Sequence, residues 1–290
     1  MSNRYTITSG DLTAEILAPE SPEYRRTRFN HSAFVPDVIY RGIHFGQPEM
    51  TDPSRPTTNG MGLCCEIQCP EVELSVPVGA EYLKPGIGYV TRTETPWRIY
   101  NDDPAYRPLE TVVTAQGDRI LFVTETDMVA GYAYRECRHL RAEDGQLTLT
   151  VHFENQGEKP ISFNEYCHNF IQLGNLQTSP KHHLALPCVE ALTLDPERSH
   201  MRAEEGGVSW LGVPGVFFNV FEKTRRAEGY AWRLSHEDSP IAVSETVDFT
   251  PVKLTVWGLE HVISPEVFLS LHLEPGESAD WTRVWRFEAE

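Results

Sequence analysis

Apolar and polar residues along this chain recur mostly with a period of two. The segments DRILFVTETD (118–127), GQLTLTVHFENQ (145–156), VKLTVWG (252–258), EVFLSLHLEPG (266–276) and TRVWRFEAE (282–290) alternate the two kinds, or form short apolar runs rich in Val, Leu, Phe and Thr. Such alternation buries one side of a strand and leaves the other to solvent. Turn formers separate these runs: AEDGQ, NQGEKP and EPGES. The stretch YRECRHLRAEDGQLTLTVHFENQGEKPISFNEY (134–166) therefore predicts strand, turn, strand, turn, strand, an antiparallel meander. No long stretch combines 3.6-residue spacing with caps, and 21 prolines with 20 glycines argue against long helices. PEMTDPSRPTTNGMG (48–62) is the best loop candidate, too short to separate two domains. The expectation is an all-β chain with few short helices: one domain over residues 1–290, built as a large antiparallel β-sandwich of two packed sheets. A concave face or mouth of such a sandwich can seat a ligand.

Composition narrows the partners. Of 290 residues, 40% are hydrophobic, enough for a sizeable core. A formal charge of −17 argues against nucleic acid and anionic membranes, which demand clustered Lys and Arg. The opening MSNRYTITSGDLTAEILAPE has no basic region followed by an apolar run, and no stretch approaches a membrane span, so a cytoplasmic protein is expected. The six cysteines (64, 65, 69, 137, 167 and 188) do not match zinc spacing and read as reduced thiols. The histidines show no H-x-H or HExxH spacing, so no metal is expected.

FNEYCHNFIQLGN (163–175) sets a titratable imidazole, His168, among apolar residues of a strand-like segment. Two readings stand: a satisfied core histidine, or a proton donor aimed into a cleft. Among other candidates, Trp97, Trp210 and Trp257 could stack on a sugar ring or simply pack. His31, His139, His182 and His183 are further titratable groups, the last two in a KHH run that reads as a loop.

Four segments, in order, resemble the galactose mutarotase-like superfamily of aldose epimerases. YRRTRFNHSAFVPDVIYRGIHFG (24–46) is similar to the family's opening hairpin. NGMGLCCEIQC and the following GAEYLKPGIGYVTRTETPWRIYN resemble a GxGLxxEF…GexFxKiGVGxL block, with Ile67 where Phe is usual after Glu66. NEYCHNFIQLGN matches an xYNHNFF segment, and WGLEHVISPEVFLSLHLEPGESADWTRVWRFE resembles the closing strands. The resemblance implies the mutarotase-like supersandwich and a cofactor-free aldose 1-epimerase that interconverts α and β anomers of a hexose or related sugar. A sandwich with exposed edge strands can also pair with a second copy, so monomer and homodimer both stay open. Ring opening needs a base on O1 and an acid on O5, and a His–carboxylate pair suits neutral pH. The resemblance assigns the acid to His168. It assigns the base to Glu266, which would close the strand HVISPE, with Glu260 in the preceding loop as the alternative. Lys84, Arg28, Tyr166, Trp257 and Glu260 are the substrate-binding candidates. The chain lacks the full GR…R loop and NHxYFNL box of galactose mutarotases, which argues against galactose itself. YRRTR (24–28), in the expected hairpin, is the only dense basic cluster for a sugar phosphate. A non-catalytic carbohydrate-binding sandwich is the alternative. A lyase or hydrolase ranks last, because retaining hydrolysis needs two carboxyls about 5–5.5 Å apart.

Overall fold

The computed structural model describes residues 3–99 and 103–290. All paired strands are antiparallel, in sheets of ten, five, four and three strands. The single helix among the described residues is one short turn, Pro70–Leu74. Among the described residues no helix is long and apolar enough to cross a membrane.

The five-stranded sheet positions the site. Its order is Phe217–Phe221, Lys253–Leu259, Val262–Leu273, Ile161–Phe170 and Gly62–Gln68. One face packs on the ten-stranded sheet, where Trp281, Arg283 and Trp285 of the strand Ser278–Glu288 point inward. Phe163 meets Trp281 there at 6.2 Å between ring centroids. The strand Gly62–Gln68 starts at a glycine with φ +56, where a Cβ would lie 2.1 Å from the Val35 carbonyl oxygen. Only glycine allows that backbone approach.

The expected segments become strands, with three corrections. The meander holds for Tyr134–Glu143 and Gln146–Asn155, which pair along their whole length. The third strand does not follow. Ile161–Phe170 leaves that sheet and pairs instead with Val262–Leu273 and Gly62–Gln68. The free side of Gln146–Asn155 is taken by Ser278–Glu288, so the chain must cross to the other layer. The opening hairpin is also shorter than expected. Only Asp37–Tyr40 and Ile43–His44 pair, while residues 24–36 are irregular and largely buried, with Phe29 and Phe34 in a small aromatic core. The strand expected over 266–276 begins earlier, at Val262, and ends at Leu273.

Candidate acid–base site

Period-two alternation places one row of residues on the outer face of the five-stranded sheet: Phe218 and Val220, then Lys253, Thr255 and Trp257, then Glu266 and Phe268, then Tyr166 and His168, then Gln68. With Arg28, Glu49 and Ile99 they line a solvent-open cleft of about 680 Å³.

Inside this row the backbone pairing has a gap. Ile161–Phe170 and Val262–Leu273 pair from Ile161↔Leu273 to Glu165↔Leu269, and the same register returns at the bridge Ile171↔Ile263. Between these points that register sets His168 opposite Glu266 and Asn169 opposite Pro265. Pro265 has no N–H, so it cannot donate to the ladder. Side chains bridge the gap instead. The Asn169 N–H donates to Ser264 Oγ at 3.0 Å, and the Asn169 amide donates to the Pro265 carbonyl at 2.5 Å.

His168 Nε2 lies 3.0 Å from Glu266 Oε1, and its Nδ1 lies 2.6 Å from Ser264 Oγ. Ser264 Oγ is also 3.3 Å from Glu266 Oε1, and the Thr255 hydroxyl donates to Glu266 Oε2 at 2.5 Å. The Ser264 oxygen already accepts from Asn169, so its hydroxyl is free to donate, and the shorter contact is to Nδ1. That leaves the imidazole proton on Nε2, donating to the Glu266 carboxylate. The imidazole is thus held at both nitrogens. Its ring stacks on Phe170 at 3.9 Å and 6°, and meets Trp257 edge-on at 5.5 Å.

His168 and Glu266 are 4% and 5% exposed, so neither charge is well hydrated. Burial pushes the Glu266 carboxyl up to about 7, opposed by the Thr255 hydrogen bond and the charge of Arg28. Burial, helped by the Arg28 cation, holds His168 well below the usual imidazole value. Arg28 itself is spoken for. It donates to Glu66 Oε2 at 2.9 Å, to Tyr166 Oη at 3.0 Å and to Thr58 Oγ1 at 3.2 Å. The Tyr166 hydroxyl in turn donates a hydrogen bond to Glu66, which also accepts from Gln68 at 3.2 Å.

The cleft thus gathers His168, Glu266, Arg28, Tyr166 and Trp257 of the sequence candidates. Glu260 sits in the turn before Val262–Leu273 and does not line it. Lys84 is elsewhere, in a neighbouring cavity with Trp97. Trp210 is a core residue. Of the other histidines, His31 donates to the Arg26 carbonyl, while His139, His182 and His183 lie on the ten-stranded sheet. Among the described residues, no group of three or more His, Cys, Asp or Glu is placed to hold a metal ion. Sequence reasoning missed Ser264, Thr255 and Gln68. Ser264 and Thr255 stand two residues from the candidates Glu266 and Trp257, and Gln68 two from Glu66 of the family-like block, so strand alternation could have pointed to them.

No family model and no curated protein sequence matches this chain. Solved structures do. A galactose mutarotase-like protein from Lactobacillus casei superposes with a TM-score of 0.60 at 12% identity, covering 98% of this chain and 99% of that one. A galactose mutarotase related enzyme from Lactobacillus acidophilus gives 0.59 at 11%, covering 99% of each. An aldose epimerase homologue from C. elegans gives 0.56 at 14%, covering both chains completely. At such identities the likeness concerns the fold: the chain has the galactose mutarotase-like sandwich that its four sequence segments resemble.

Proposed function

We propose that a chain with this fold, and with a buried imidazole set against a carboxylate in an open cleft, is an aldose 1-epimerase-like enzyme acting on a neutral hexose or related sugar. The observation that carries the reading is the 3.0 Å contact between His168 Nε2 and Glu266 Oε1, lying in an open cleft. O1 and O5 of a pyranose are both bonded to C1. Two groups that touch each other can therefore each reach one of them. In the singly protonated pair the entering sugar draws the shared proton onto His168; the Glu266 carboxylate then takes the O1 proton while His168 gives its Nε2 proton to O5. The C1–O5 bond breaks and C1=O1 forms. After rotation about C1–C2 the two groups exchange roles, and O5 attacks the other face of the carbonyl. The sugar trades the His168–Glu266 hydrogen bond for one bond to each residue. Trp257 offers an apolar face to the ring, and Arg28 and Tyr166 fix the wall behind it.

The test is anomer exchange followed by saturation-transfer NMR on a panel of aldoses. His168→Ala and Glu266→Gln should each lower the rate by roughly 10²–10⁴-fold, the usual share of one general acid or base. Unchanged exchange in both variants would end the enzymatic reading. Sugar binding in the native protein with no exchange at all would leave a carbohydrate-binding sandwich in its place.

A further inference from the structure

Beside the acid–base cleft lies a second cavity of about 710 Å³, which shares Gln68 with the first. The wall between them is the Arg28–Glu66 ion pair: Arg28 lines the cleft and Glu66 the second cavity. We propose that this second cavity, built around Lys84, Glu73 and Trp97, is a subsite for a second neutral sugar ring, so that the substrate is a di- or oligosaccharide whose reducing-end ring occupies the His168–Glu266 cleft. This rests on the acid–base reading and names its substrate class.

The starting point is Lys84. It is 6% exposed, and none of the described residues accepts a hydrogen bond from its Nζ. The Nζ sits over the Trp97 ring, 3.3 Å from its centroid. An ammonium group buried without acceptors is costly, and a ligand that supplies oxygens removes the cost. Burial also lowers this amine to about 8. Trp97 is itself fixed: its indole N–H donates to Thr27 Oγ1 and its backbone N–H to Glu73 Oε1, both at 2.9 Å.

Charge selects the kind of oxygen. Arg28 and Lys84 face Glu66 and Glu73, and Asp103 beyond them is paired with Arg26, so the region is balanced. A phosphate or carboxylate entering beside Lys84 would meet Glu66 and Glu73 as well. A hydroxyl can accept from Lys84 and donate to a carboxylate. Gln68 and Asn164 add amides that pair with hydroxyls in either sense, while Tyr82 and Pro70 give apolar surface for the C–H face of a ring. A ligand reaching from one cavity to the other passes over Gln68.

The experiment compares neutral reducing disaccharides (maltose, cellobiose and lactose) with glucose and galactose, and with glucose 6-phosphate and glucuronate as anionic probes. Anomer exchange and equilibrium binding are measured by NMR titration on the native protein, Lys84→Met and Glu73→Gln, with near-UV circular dichroism as the folding control. At least one disaccharide should exceed its monosaccharide by about ten-fold or more in kcat/KM, the scale of one hydrogen bond to a charged group, and Lys84→Met should bring that ratio close to one. Glu73→Gln should lower the ratio several-fold. A native ratio of one, or a ratio untouched by Lys84→Met, rejects the subsite and leaves the acid–base reading standing. An anionic sugar preferred in a Lys84-dependent manner overturns the neutral-ring assignment. Absence of exchange on every sugar defeats the acid–base reading instead, and the binding ratio alone then decides the subsite.

Discussion

The strand Ile161–Phe170 meets two environments. On its core face Glu165 is fully buried, and so is Glu245 across the layer. Arg283 grips both, at 2.6 Å and 2.7 Å. The Trp232 indole N–H also donates to Glu245 at 2.6 Å, and Arg138 lies 2.9 Å from Glu136 nearby. On its cleft face His168 meets Glu266, which touches hydroxyls and an imidazole but no guanidinium. Burial raises both Glu245 and Glu266. Arg283 restrains the rise at Glu245, whereas Glu266 climbs to about 7. Equal burial thus has two outcomes. A carboxylate in contact with arginine becomes a fixed charge that holds layers together. A carboxylate among neutral donors keeps a proton within reach of neutral pH, which is the property that general acid–base chemistry needs.

Removing the guanidinium from the core face tests the first half of this contrast. Arg283→Met leaves Glu165 and Glu245 buried without their shared cation, and should lower stability by about 3–5 kcal/mol in urea denaturation. The cleft face should respond the other way round. Glu266→Gln should cost catalysis the 10²–10⁴-fold already given, roughly 3–5 kcal/mol of barrier, with little loss of stability at neutral pH. If Glu266→Gln unfolds the protein as readily as Arg283→Met, the two faces are not different in kind.

The pH dependence is the third test. Because the folded value of Glu266 lies above its ordinary 4.5, the folded state keeps a proton that the unfolded chain has lost. The resulting stability is complete below pH 4.5 and disappears as pH rises through about 7, a total on the order of 3 kcal/mol. Glu266→Gln should flatten that part of the stability profile. The exchange rate should also fall above about pH 7, where the pair gives up its shared proton, and its acid limb should lie well below the usual histidine value. The smallest effect is expected for Ser264→Ala, which removes the group facing Nδ1. About 1 kcal/mol, or several-fold in rate, should be lost together with a shift of the pH–rate profile. A change in stability with no shift of that profile would make Ser264 a ladder substitute only.

How much of this was readable in advance depends on the range of the interaction. Tyr134–Glu143 and Gln146–Asn155 were legible because their alternation and the tight turn between them are local, and their pairing follows. The destination of Ile161–Phe170 was not, because nothing in its own residues records that the preceding strand's free edge is already filled by a segment more than a hundred residues later. Glu260 and Glu266 could be placed in a turn and a strand from local pattern, yet only the fold shows which of them reaches the cleft.

By itself, then, the amino-acid sequence determined the all-β character, the inward and outward sides of most strands, and the resemblance that singled out His168 and Glu266. These follow from short-range alternation, turn chemistry and motif order. Tertiary structure decided the rest: the register that sets His168 opposite Glu266, the proline-broken ladder that Ser264 and Asn169 bridge, and the removal of Lys84 to a cavity of its own. Those outcomes depend on how long-range strand pairing distributes edges and burial, and burial is what moves a carboxyl toward neutral pH.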